Sequence, residues 1–112
     1  MKTLFAAPIM DLPQADIPIE GLTAYLSQSA THQTLYMYFE NFVELPEHSH
    51  ADQIGFVLEG QIDVTIKGIK HTYCKGDRYH IKAGEVHSAK IYAGYADITV
   101  FMEVSRYKER AK

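Results

Sequence analysis

From Glu20 to Tyr107 the chain alternates short apolar runs with Gly, Pro, Asn and Asp, and β-branched and aromatic residues dominate the runs. Ile62, Val64 and Ile66 alternate with Asp63, Thr65 and Lys67, the period of two expected of a strand with one buried face. The same reasoning predicts strands over Gly21 to Gln28, Thr34 to Phe42, Gln53 to Leu58, Gln61 to Ile66, Ile69 to Cys74, Arg78 to Ile81, Ser88 to Tyr92 and Ala96 to Val104. Glu59-Gly60 and Lys67-Gly68 each separate neighbouring apolar runs by about two residues, a spacing suited to tight hairpins in which glycine takes the positive φ. Further glycine turns fall at Lys75-Gly76-Asp77, Ala83-Gly84-Glu85 and Ala93-Gly94. Eight or nine short, evenly spaced strands predict an all-β, single-domain fold, a β-barrel or a double-sheet jelly roll, architectures that leave few open sheet edges.

Helical signal is nearly absent. Pro8, Pro13 and Pro18 favour extended or turning chain over the first twenty residues, and Val104 to Lys112 is open to a short polar helix. The expected layout is an extended segment over residues 1–19, a barrel over 20–107 and a polar tail over 108–112.

At 112 residues with 46% hydrophobic content, the chain has room for one domain and is too apolar for disorder. A formal charge of −3, with no cluster of basic side chains, argues against nucleic acid as the main partner. No run approaches the ~20 apolar residues of a membrane-spanning helix. Pro8 and Asp11 interrupt the apolar opening before a secretion signal develops, and the lone cysteine, Cys74, has no internal partner, so the cytoplasm is the default compartment. Cys74 itself reads as a small core residue.

Six histidines carry the candidate chemistry. His48 and His50 are one residue apart in Glu47-His48-Ser49-His50. In extended chain such residues point to the same side, so both imidazoles can reach one ion at about 2.0–2.1 Å. Gln53 falls out of phase with them unless Ala51-Asp52 bends. His87 follows the turn at Gly84 and opens another strand. His32 reads as a surface loop residue and His71 as a solvent-facing one, while His80 is a candidate for proton transfer if it faces inward.

The run His48-Ser49-His50, Gln53, Phe56-Val57-Leu58-Glu59-Gly60, followed by Gly76-Asp77-Arg78-Tyr79-His80-Ile81-Lys82-Ala83-Gly84-Glu85-Val86-His87, resembles the two motifs of the cupin superfamily. The resemblance spans about Phe39 to Phe101. It implies a small β-barrel in which His48, His50, Gln53 and His87 hold one divalent transition metal: zinc, manganese, nickel or iron. It also implies a homodimer, since small members commonly pair sheets or exchange an edge strand, and the segment at 1–19 is suited to supply that strand. An amide stands where the family usually has an acid, the gap from His50 to Gln53 is short, and Lys82 occupies a position that is normally proline. A neutral ligand set leaves the ion its full charge, making it a stronger Lewis acid and a more weakly held one.

Gly55 shares the face of Gln53 and leaves space beside the ion. The resemblance places the last strand at the pocket, so Phe101 and Glu103 are candidate contacts, Glu103 also as an acid or base. Tyr36, Tyr38 and Tyr92 are candidate aromatic walls. Three functions remain open. His-Ser-His with a glutamine looks like small cupins that convert unsaturated uronates to linear keto sugars; alternatively the chain is an iron-dependent oxygenase, or a non-catalytic module binding a small molecule or sugar.

Overall fold

The computed structural model describes residues 4–111. Its strands are β1 (Leu22–Gln28), β2 (Gln33–Phe39), β3 (Val43–His48), β4 (Gln53–Glu59), β5 (Gln61–Ile66), β6 (Ile69–Cys74), β7 (Arg78–Ile81), β8 (His87–Ile91) and β9 (Ala96–Phe101). They form two antiparallel sheets, ordered β1-β2-β9-β4-β7 and β3-β8-β5-β6, packed face to face as in a jelly roll. Alternation sets the faces. Leu22, Ala24 and Leu26 on β1, and Leu35, Met37 and Phe39 on β2, point into the space between the sheets, where Ile62, Val64, Ala89 and Ile91 meet them. Leu35 and Val64 are essentially without exposure, and each such side chain contributes about 1.5–3 kcal/mol by leaving water.

Eight of the nine strands stand where the alternation predicts, and β3 is the difference. The expected strand from Thr34 to Phe42 ends at Phe39, the chain turns through Glu40 and Asn41, and a separate strand begins at Val43. Its pattern is masked by Pro46, which is tolerated because β3 is an edge strand with one side free of ladder bonds. The pairing of β3 with β8 shifts register between Leu45 and His48, which sets His48 opposite His87.

Both ends of the chain differ from expectation. A single helical turn, α1 (Ala7–Met10), forms with Pro8 in its first turn, where a missing N–H costs nothing. No helix forms over the described residues of Val104 to Lys112, where bends lead to a bridge between Glu109 and Ala15; Lys112 lies outside the described residues, as do Met1, Lys2 and Thr3 of the segment assigned to 1–19. The described residues of that segment lie against their own barrel. Leu26 N–H donates to Pro13 O, Ala15 N–H to Ala24 O, and Arg110 N–H to Gln14 O, so residues 13–17 run between β1 and the C-terminal segment. Cys74 is exposed rather than in the core, because it ends β6, an edge strand of which Tyr73 alone is half-buried against the core. Among the described residues, no helix is long and apolar enough to cross a membrane.

Candidate metal centre

His48 ends β3 in one sheet and Gln53 opens β4 in the other, so the linking residues 49–52 cross between sheets and carry His50 over the barrel mouth. The bend expected at Ala51 is present. Two bonds fix this crossing: Gly84 N–H donates to His50 O, tying it to the turn before His87, and Met102 N–H donates to Asp52 O. His48, His50 and His87 thereby present ring nitrogens that all lie within 4.8 Å of one another.

The orientation of the three rings follows from their other nitrogens. Nδ1 of His48 lies 2.8 Å from Pro46 O, that of His50 2.7 Å from Ala51 O, and that of His87 2.9 Å from Glu85 O. A carbonyl oxygen only accepts, so each Nδ1 carries a proton, and in the neutral ring Nε2 is left as a bare lone pair. His50 Nε2 and His87 Nε2 face each other at 3.2 Å. Two lone pairs at that distance repel, and neither ring has a second proton to share. Nitrogens bound tetrahedrally at about 2.0–2.1 Å lie about 3.3 Å apart, so one cation fits this spacing and removes the repulsion. Burial, the dominant cause, holds His50 and His87 below their ordinary pKa, and neutral imidazole is the form that binds a metal.

Gln53 donates from its amide nitrogen to Thr99 Oγ1 at 3.1 Å, and Thr99 in turn donates to Ile54 O at 3.3 Å. This assigns the amide orientation and leaves Gln53 Oε1 as the atom available to a cation. All four residues line one cavity of about 390 Å³ between the sheets.

Of the expected pocket residues, Phe101 lines the cavity, its ring 5.3 Å edge-on from His50. Gly55 faces inward, but the space it leaves is filled: Tyr79 lies opposite it across the strand pair, and a Cβ at Gly55 would overlap that ring. The structure keeps the other candidates away from the cavity. Tyr36 and Tyr38 alternate onto the outer face of their sheet, Tyr36 packing on Phe5. Tyr92 packs at a tilt against Phe42 and donates to Asp63 Oδ2 at 2.6 Å; burial opposes ionisation of Asp63, yet donors from Tyr92, Thr72 and Gln61 hold its pKa below the usual value. His80 sits outside, 2.9 Å from Asp52 Oδ1. Glu103 stands 3.7 Å from Arg106 in an ion pair too long for a hydrogen bond.

Arg106 itself belongs to the cavity wall. Its guanidinium lies 4.9 Å from the Phe101 ring centre and 5.1 Å from that of Tyr107, with Nε donating to Tyr107 Oη at 3.1 Å. A fully buried Gln33 brings this segment in. Its Nε2 donates to Tyr107 O at 2.8 Å and its Oε1 accepts Tyr107 N–H at 3.0 Å, a two-bond clamp that mimics strand pairing. Neither residue has a local sequence signal, since Arg106 follows the last strand and Gln33 is a polar residue opening β2, turned inward by parity alone.

A family model described as "Cupin domain" matches residues 39–100. No curated protein matches the chain in sequence. Among solved structures, an RmlC-like cupin from Shewanella frigidimarina superposes with TM-score 0.73 at 19% identity, covering 94% of this chain and 95% of that one. KdgF from Halomonas sp. gives 0.67 at 20% identity, covering 86% and 88%. A variant of oxalate decarboxylase from Bacillus subtilis gives 0.71 at 20% identity, this chain matching 29% of its length.

Proposed function

The chain belongs to the cupin family, and from that premise we propose that it holds one divalent transition metal on His48, His50, His87 and Gln53 and acts on a small sugar acid of the unsaturated-uronate type. The observation supporting this reading is the set of three histidines with bare Nε2 atoms sharing a cavity with Arg106. When bound, the ion would supply Lewis-acid polarisation of a ligand oxygen. The chain supplies the rest. Arg106 offers a planar fork of donors to a carboxylate, and the Tyr107 bond and the two flanking rings hold that fork in place. Phe101, Ile17 and Ile19 add apolar wall that keeps water from the bound acid.

The test joins elemental mass spectrometry of tag-free protein to an ultraviolet assay of the carbon–carbon double bond of an unsaturated uronate. About one equivalent of metal, lost in the double variant His48→Ala, His87→Ala, with the absorbance falling only for metal-loaded protein, is expected. Turnover that needs iron and oxygen would replace this reading with the oxygenase, and a sugar acid bound equally well without metal would replace it with the binding module.

A further inference from the structure

The cavity has a second polar end, distant from the histidines. Tyr79 on β7, Tyr95 in the turn before β9 and Asp97 on β9 all line it. Phe101 marks the histidine end, and Asp97 lies four residues back along the same strand, about 13 Å away. Tyr95 Oη donates to Asp97 Oδ2 at 2.5 Å, and Tyr79 Oη lies 3.4 Å from Tyr95 Oη. With the Tyr95 proton directed at the carboxyl, the bond between the phenols must be donated by Tyr79, so both phenols point their protons towards Asp97. The relay stops there. Asp97 is 1% exposed, and its Oδ1 has no hydrogen-bond partner among the described residues.

A buried polar atom without a partner costs free energy, and the barrel does not require one here. The register neighbours of Asp97 are Val57 and Met37, among which an apolar side chain would pack. We infer that the floor of the cavity is a second polar subsite, in which Asp97 Oδ1 engages a hydroxyl of an elongated, polyhydroxylated ligand whose acid end lies at Arg106 and the histidines. The acid end rests on the sugar-acid reading above; the floor contact does not need the metal.

Two observations select that ligand class. Burial pushes the Asp97 carboxyl up to about 7, so acid and carboxylate coexist near neutrality. A hydroxyl donates to the carboxylate and accepts from the acid, whereas an ammonium or a carbonyl suits one form alone. The separation of the two ends excludes a two-carbon diacid as a ligand of both, while a six-carbon sugar acid has the reach.

Titration calorimetry of the zinc-loaded full chain with galacturonate, and with oxalate as the short control, tests the inference in the wild type, Asp97→Val and Tyr95→Phe. Asp97→Val is expected to weaken galacturonate by roughly tenfold, the worth of one buried hydrogen bond, and to leave oxalate within twofold. Tyr95→Phe, which loosens the carboxyl without removing it, is expected to give a smaller loss in the same sense. It decides the matter if the valine variant fails to fold by circular dichroism. Unchanged galacturonate affinity, or equal losses for both acids, overturns the inference. Should galacturonate not bind the wild type at all, the sugar-acid reading fails, and amide NMR of the metal-free protein with xylitol then judges the floor alone. Shifts at Val57 and Asp97 that vanish in Asp97→Val sustain it, and their absence overturns it.

Discussion

Replacing Asp97 by Asn keeps the side-chain shape and the acceptor for Tyr95 while removing the titration. The carboxyl is fully buried, and its pKa is displaced from an ordinary 3.8 to about 7. The folded protein therefore binds this proton more tightly than the unfolded chain does. Between those two values the native state carries more protons, so unfolding free energy falls as pH rises. About three pKa units at about 1.4 kcal/mol each give a ceiling of about 4 kcal/mol, absent below pH 4 and complete above pH 7. His50 and His87, held low by burial, act in the opposite sense: their contribution is lost as pH falls below the unfolded value of 6.5. They are the same in both proteins and cancel in the difference. Urea denaturation of metal-free wild type and Asp97→Asn, from pH 4.5 to 8.5 with a chelator present, should show the variant gaining on the wild type by up to about 4 kcal/mol as pH rises. Parallel curves, or a difference that shrinks as pH rises, would refute the assignment of Asp97 as the buried acid.

Other expectations follow from packing and pairing. Gly55→Ala forces a methyl group against the Tyr79 ring and should cost about 1–3 kcal/mol in thermal or urea unfolding, a change below 0.5 kcal/mol showing that the ring moves aside freely. Gln33→Leu unpairs both backbone groups of Tyr107, so a stability loss of about 1–3 kcal/mol should accompany weaker binding of any carboxylate ligand, and chemical-shift mapping should confine the disturbance to residues 102–108 and their contacts. The outer face of the five-stranded sheet carries Ile54, Phe56, Ile98 and Val100, with Phe56 exposed. If the expected homodimer pairs across that face, light scattering should find twice 12.7 kDa for the wild type and a monomer for Phe56→Glu; a wild-type monomer removes the dimer.

The strands were legible because a half-buried strand writes its geometry into the sequence at a period of two, and the glycine turns mark its ends. β3 was not, because an edge strand tolerates Pro46 and needs only Val43 and Leu45 on its inner face. The trio of His48, His50 and His87 was visible from spacing and family motif together. The pocket behind it was not, since tyrosine serves either face equally well: Tyr36 and Tyr92 were plausible walls, whereas Tyr79, Tyr95 and Tyr107, which line the cavity, looked the same in the sequence. Asp97 carried a misleading signal, because a carboxylate in an alternating strand is ordinarily taken for its wet face. Parity alone, counted back from Thr99 and Phe101, would have turned it inward.

The clamp of Gln33 on Tyr107 places the cavity's arginine under a different rule of change from its histidines. His48 and His87 are locked into strand register, where a one-residue slip would reverse a whole face. Arg106 hangs between the end of β9 and the clamped Tyr107, on bends whose length no ladder dictates. Insertions or deletions between 102 and 106 would move the guanidinium along the cavity while leaving both sheets intact. Chains built on this barrel can thus shift the arginine along the cavity by changing a few residues after β9, with the histidine trio left in its register.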